Sequence, residues 1–106
     1  MGFLDFLRGP DMDGGVEQCR QTPGALLLDV RTPAEYAEGH IPGARNLPLQ
    51  ALDGIDAVAP ARDTPLFLYC RSGARSGQAA RLLQGSGYTR VTNIGGIISY
   101  HGPVER

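Results

Sequence analysis

Apolar and polar positions along this chain change period repeatedly, and the changes mark out alternating strands and helices. Ala25 to Val30 (ALLLDV) is a continuous apolar run with turn residues on both sides. Such a run predicts a strand buried on both faces. Leu66 to Cys70 (LFLYC) reads the same way and is rich in aromatic and aliphatic residues. Ala44 to Leu47 and Val91 to Ile94 predict two further short strands. Helical segments lie between them. Val16 to Gln21 predicts a short helix stopped near Pro23 and Gly24. Thr32, Pro33 and Glu35 make a T-x-x-E capping box ahead of a helix over about Pro33 to Glu38, ended by Gly39. Leu49 to Val58 predicts one or two short helices interrupted at Gly54. Ala74 to Gln84 carries Ala79, Ala80, Leu82 and Leu83 at helical spacing, with Gly85 and Gly87 to end it. Gly95–Gly96 is expected to open a final short helix.

Strands that alternate with helices predict an α/β domain with a mainly parallel central sheet and helices on both faces. In such sheets functional groups gather at the carboxyl ends of the strands. Asp29 to Arg31 and Cys70 to Arg75 fall there. Gly14 and Gly15 are expected to separate an N-terminal segment, residues 1–13, from the domain, residues 14–106. Phe3, Leu4, Phe6 and Leu7 give that segment one apolar helical face, expected to pack on the domain.

Composition narrows the chemistry. Hydrophobic residues make up 42 % of the 106 and charged residues 20 %, the balance of one globular domain rather than a disordered chain. A net charge of −1 gives no reason to expect nucleic acid as a partner. All ten basic residues are arginine. Without lysine there is neither a Schiff-base amine nor a P-loop lysine. His40 and His101 stand apart, and no His–Cys spacing fits a structural zinc site. The start, MGFLDFLRGPD, has neither a basic n-region nor a long apolar run, and its sixth residue does not fit a myristoylation site. No membrane partner is therefore expected. Two cysteines, Cys19 and Cys70, are too few for a disulfide framework, and a reducing, cytoplasmic setting is expected.

The loop Tyr69 to Gly77 (YCRSGARSG) concentrates the reactive groups. Cys70 ends a predicted strand just before a helix, where turn amides converge and the helix N-terminus adds positive potential. Arg71 and Arg75 bring fixed charge, Gly73 frees the backbone, and Ser72 and Ser76 offer hydroxyl donors. Each feature favours a thiolate and an anion site. The alternative is an inert cysteine buried at a strand end. Cys19, on the first helix, reads as a small core residue.

CRSGAR, from Cys70 to Arg75, resembles the active-site loop of the rhodanese family. Leu26 to Leu49 (LLLDVRTPAEYAEGHIPGARNLPL) resembles a second signature of that family, and Asn93 to Glu105 (NIGGIISYHGPVE) a third, with Tyr100 where the family often has Trp. The resemblance implies a single-domain, thiosulfate sulfurtransferase-like enzyme in which Cys70 carries sulfur as a persulfide. It implies a small anionic sulfur donor, a cyanide, thiol or protein acceptor, and no metal or organic cofactor. Arg71, Ser72, Gly73, Ala74, Arg75 and Ser76 would form the anion-binding loop, with Arg75 ahead of Arg71. Asp29, Arg31, Glu35 and His40 would support it: Glu35 as a partner for Arg31, His40 as a brace for its turn. A non-catalytic binding or redox-sensing module is the main alternative. A cysteine phosphatase or arsenate reductase is a further one, disfavoured because the loop is C-x4-R and phosphatases use C-x5-R.

Overall fold

The computed structural model describes residues 11–106, so the expected helix around Phe3 to Leu7 lies outside the described residues. Helix α1 (Met12–Gln21) leads into strand β1 (Leu26–Asp29), helix α2 (Pro33–Glu38) and the short strand β2 (Arg45–Asn46). A 3₁₀ helix at Leu49–Gly54 runs directly into helix α3 (Ile55–Val58). Strand β3 (Leu66–Cys70), helix α4 (Ala74–Gly85), strand β4 (Val91–Gly96) and a 3₁₀ turn at Ile97–Ser99 complete the chain.

The four strands form one sheet in the order β2-β1-β3-β4, and every pairing is parallel. Side chains alternate across it. Leu28, Val30, Leu66, Leu68 and Cys70 face a core made with Leu52, Ile55, Ala79, Leu83 and Tyr88. Leu27, Phe67, Tyr69 and Ile94 face a second core made with Met12, Val16, Cys19, Ile41 and Ala44. Both faces are thus covered, as the continuous apolar runs require. Each fully buried leucine here contributes about 1.5–3 kcal/mol. Cys19 and Cys70 belong to cores on opposite faces of the sheet, and both thiols are free. Among the described residues, no helix is long and apolar enough to cross a membrane.

One glycine pair differs from expectation. Gly14 and Gly15 do not interrupt the chain; α1 starts at Met12 and runs through them. Met12, Val16 and Cys19 make its buried stripe at helical spacing. The reason for Gly15 is contact: a Cβ there would lie 2.6 Å from Ile94 Cβ, so only glycine lets α1 press on β4. A Cβ on Gly14 would meet the exposed end of Asp11 instead. Gly14→Ala is therefore expected to stabilise the protein by up to about 1 kcal/mol through helix propensity. Gly15→Ala should destabilise it by about 1–3 kcal/mol through overpacking. Thermal melts of the two variants check this, and equal shifts of the same sign would contradict it.

Gly95–Gly96 leads into a final short helix as expected, the 3₁₀ turn at Ile97–Ser99 with Gly96 as its N-cap. Both residues belong to β4, which pairs Gly95 with Tyr69 and Gly96 with Cys70 after a register shift opposite Leu68 and Tyr69. The shift leaves Ile94 as the extra residue of a bulge, a device that re-aims a strand end. It delivers β4 against the loop that follows Cys70.

Candidate active site

Strand order reverses between β1 and β3, and the crevice at their carboxyl ends is where ligands bind in such sheets. Asp29 stands opposite Tyr69 there, and Cys70 is the next residue of β3. Gly73 turns the chain into α4 with φ of +102°, in the left-handed region, and a Cβ on it would come within 3.4 Å of Gly95. The turn brings the Gly73 N–H to 3.0 Å from Cys70 Sγ and the Ser76 hydroxyl to 3.4 Å.

Cys70 is 1 % exposed, and burial alone would raise its pKa. Hydrogen bonds from the Ser76 hydroxyl and from the N–H groups of Ser76, Gly73 and Ser72 outweigh burial and hold it below the ordinary thiol value. Cys19 shows the contrast. Burial pushes its thiol up, with only Arg20 opposing. Of the features the sequence offered for a thiolate, turn amides, helix N-terminus, hydroxyls and the charges of Arg71 and Arg75, the loop's own hydrogen-bond donors are the larger effect.

The two arginines take different places. Arg75 is turned to Glu35, with Nη1 to Oε1 at 2.6 Å and Nη2 to Oε2 at 2.9 Å. Glu35 therefore does not pair with Arg31, as the sequence suggested. Its Oε1 already accepts from the Thr32 N–H and hydroxyl in the capping box, and that geometry aims its outer edge at α4. Arg31 turns back to Asp29, two residues earlier, with Nη2 to Oδ2 at 2.7 Å, and also donates to the Gly39 carbonyl. Arg71 is exposed and enters none of the ion pairs among the described residues. It borders a cleft of about 300 Å³ with Arg31, Glu35, Ile97, Ile98 and Val104. Ser72 and Ala74 are exposed, and Ser76 is fully buried.

His40 braces the start of the segment after α2. Its Nδ1–H donates to the Tyr36 carbonyl at 2.9 Å, and its ring stacks on Tyr36 at 3.6 Å. Its backbone exchanges two hydrogen bonds with Glu105. Its Nε2 lies 3.6 Å from Glu105 Oε1. Among the described residues, no group of three or more His, Cys, Asp or Glu side chains is arranged to hold a metal.

Three supporting residues carried no role in the sequence reading. Asn46 Nδ2 donates to the carbonyls of Asp29 and Arg31, holding the end of β1. Asn93 and Gly96 hold the Cys70 loop from β4. Both lie in the N-I-G-G motif, which was visible as a pattern while its contact with the loop was not.

Two expectations follow from the ion pairs. Asp29 is fully buried beside the nearly buried Arg31 guanidinium. Asp29→Ala leaves that charge without its partner and is expected to cost about 3–5 kcal/mol. Denaturant unfolding would read this as a lowered midpoint; a loss below about 1 kcal/mol would refute it. Arg75 holds the Glu35 carboxyl down to about 2, from an ordinary 4.5. A depressed carboxylate adds stability above its unfolded pKa, and that stability fades as pH falls from 4.5 towards 2. The melting-temperature gap between wild type and Glu35→Gln should close over that window, and a constant gap would contradict the assignment.

The geometry matches known proteins. The model of the rhodanese-like domain family matches residues 13–101. A protein named sulfurtransferase from Allochromatium vinosum is 43 % identical over 91 residues, which are 85 % of this chain and 84 % of that one. The thiosulfate sulfurtransferase PspE of Escherichia coli is 39 % identical over 71 residues, 66 % of this chain and 68 % of its own. Among solved structures, an E. coli rhodanese described with anions superposes with a TM-score of 0.73 and 35 % identity, covering 77 % of this chain and 98 % of that one. The parallel sheet, the loop from Cys70 to Arg75 and these likenesses agree, and the chain belongs to the rhodanese-like domain family.

Proposed function

We propose that this protein is a sulfurtransferase that moves sulfane sulfur from thiosulfate, or a donor like it, to a nucleophilic acceptor through a persulfide on Cys70. The observation that carries the reading is the Cys70 Sγ at the focus of the Gly73 N–H and the Ser76 hydroxyl, with its pKa lowered despite burial.

The Cys70 thiolate attacks the outer sulfur of the donor. A Cys70–sulfur bond forms as the donor's S–S bond breaks, and the electron pair of that bond leaves with sulfite. An acceptor, cyanide or a thiolate, then attacks the outer sulfur, and the electron pair of the persulfide bond returns to Sγ. This is covalent ping-pong catalysis. The amides of the loop from Ser72 to Ser76 stabilise the charge in both steps. Arg71, exposed at the cleft, draws in the anionic donor. Arg75, bonded to Glu35, braces the start of α4 against α2. A reducing compartment such as the cytoplasm suits a cycle that depends on a free thiol.

The test is the intact mass of the protein after incubation with thiosulfate. A gain of one sulfur atom, removed by cyanide, supports the proposal. No gain with thiosulfate or with polysulfide would overturn it.

A further inference from the structure

The Asn93 side chain is held at both ends of its amide. The Gly95 N–H donates to its Oδ1 at 3.0 Å, and its Nδ2 donates to the Gly73 carbonyl at 3.1 Å. These two bonds settle which end of the amide is which, because an N–H needs an oxygen and a carbonyl needs an N–H. Oδ1 is thereby the atom 2.7 Å from Ser76 Oγ. Ser76 has one hydroxyl proton and four acceptors in reach: Asn93 Oδ1, the Gly73 carbonyl at 3.2 Å, Cys70 Sγ at 3.4 Å and the Gly95 carbonyl at 3.4 Å. The shortest contact is the one to Asn93.

We propose that Asn93 is a positioning residue of the reaction: it holds the Gly73 turn and serves as the resting acceptor of the Ser76 hydroxyl, which swings to Sγ only while Sγ bears charge. The inference rests on Cys70 being the nucleophile. In the neutral thiol and in the persulfide, Sγ is uncharged, and the hydroxyl donates to Asn93. In the thiolate, a charge-assisted bond to Sγ wins. When the acceptor takes the outer sulfur and the electron pair returns to Sγ, the hydroxyl turns to meet it. The proton stays on Ser76 throughout, and only its hydrogen bond changes.

Other charged groups near Cys70 are few. Arg75 on α4 is paired with Glu35 from α2, and Asp29 and Arg31 pair with each other at the end of β1. Arg71 lies on the loop, and no residue of β4 is titratable. Asn93 and Ser76 are thus the neutral groups placed to tune the thiolate.

Asn93→Asp tests the idea with an isosteric change. It removes the donor to Gly73, holds the Ser76 hydroxyl more tightly and adds negative charge near Sγ. All three disfavour the thiolate. The readout is the iodoacetamide alkylation rate of the Cys70 peptide against pH, followed by mass spectrometry so that Cys19 does not contribute. The midpoint is expected to rise by about one unit, which makes alkylation about tenfold slower below it. A folded variant with an unmoved midpoint would overturn the proposal. In a Ser76→Ala background the same exchange should shift the midpoint less. Equal shifts would mean that Asn93 acts by charge alone and would refute the relay. Should the variant not fold, the Asn93 side-chain amide resonances of the wild type answer the question. They are expected to move with the Cys70 midpoint, and fixed resonances would refute it. Alkylation reads the thiolate itself. Wild-type protein that takes up no sulfur while Asn93→Asp still raises the alkylation midpoint would therefore sink the sulfurtransferase reading and leave the hold of Asn93 on the thiolate standing.

Discussion

Cys70→Ser is expected to abolish persulfide formation and to lower sulfur transfer by at least roughly a thousandfold, while the fold survives. The loss follows from chemistry. A serine hydroxyl is not ionised by the donors that favour the thiolate, and its oxygen is a poor nucleophile towards sulfur. The surviving fold follows from the site. Cys70 is 1 % exposed, so a buried hydroxyl would ordinarily cost about 1–3 kcal/mol. Here the Gly73 N–H already points at the position of Sγ and can donate to the new oxygen. The stability loss should therefore stay within about 1 kcal/mol. Cys19→Ser is the mirror experiment. Cys19 sits among Met12, Val16 and Ile94 in an apolar core, so its serine should cost stability and leave turnover intact. Turnover assays and melts of both variants decide the matter. Retained sulfur transfer in Cys70→Ser, or its loss in a folded Cys19→Ser protein, would overturn the assignment.

Gly96→Ala is expected to lower kcat/KM for sulfur transfer by about a hundredfold. Gly96 has φ of −129°, which any residue adopts, so conformation does not demand glycine there. Space does. A Cβ on Gly96 would lie 2.2 Å from the Arg71 carbonyl oxygen and 2.6 Å from Ser72 Cα. Both are backbone atoms of the loop and cannot step aside as the tip of a side chain can. The methyl group must push the loop away from β4, and with it the N–H groups that converge on Sγ. Loss of stability of about 1–3 kcal/mol should accompany the loss of activity. Steady-state kinetics together with a thermal melt test this. A fully active variant would show that the loop tolerates displacement.

What could be read from the chain was local. The capping box at Thr32 and Glu35 was legible because its partners are three residues apart, and the structure shows both of its hydrogen bonds. The four parallel strands were legible because two-sided burial leaves an unbroken apolar run. A cysteine closing the most buried of those runs, with arginines, serines and a glycine after it, marked the loop. The second role of Glu35 was not legible. Its partner Arg75 stands forty residues further along, and nothing in either local segment prefers that pairing to Arg31. Arg31 instead found Asp29, the nearer carboxylate at the same strand end.

Glycines mark the boundary most clearly. Sequence reads a Gly-Gly pair as a break, since glycine weakens helices and strands. Gly15 and Gly96 lie inside a helix and a strand because each allows a close approach, to Ile94 in one case and to Arg71 in the other. By itself the sequence determined the order of elements, the two-faced sheet and the place of Cys70 at the end of β3, all of which follow from periodicity and neighbours along the chain. The tertiary structure alone decided which charge meets which, and how closely β4 presses on the loop. It also decided that Asn93 and Ser76 meet beside the sulfur, because hydrogen bonds between distant segments are set by packing and leave no periodic trace.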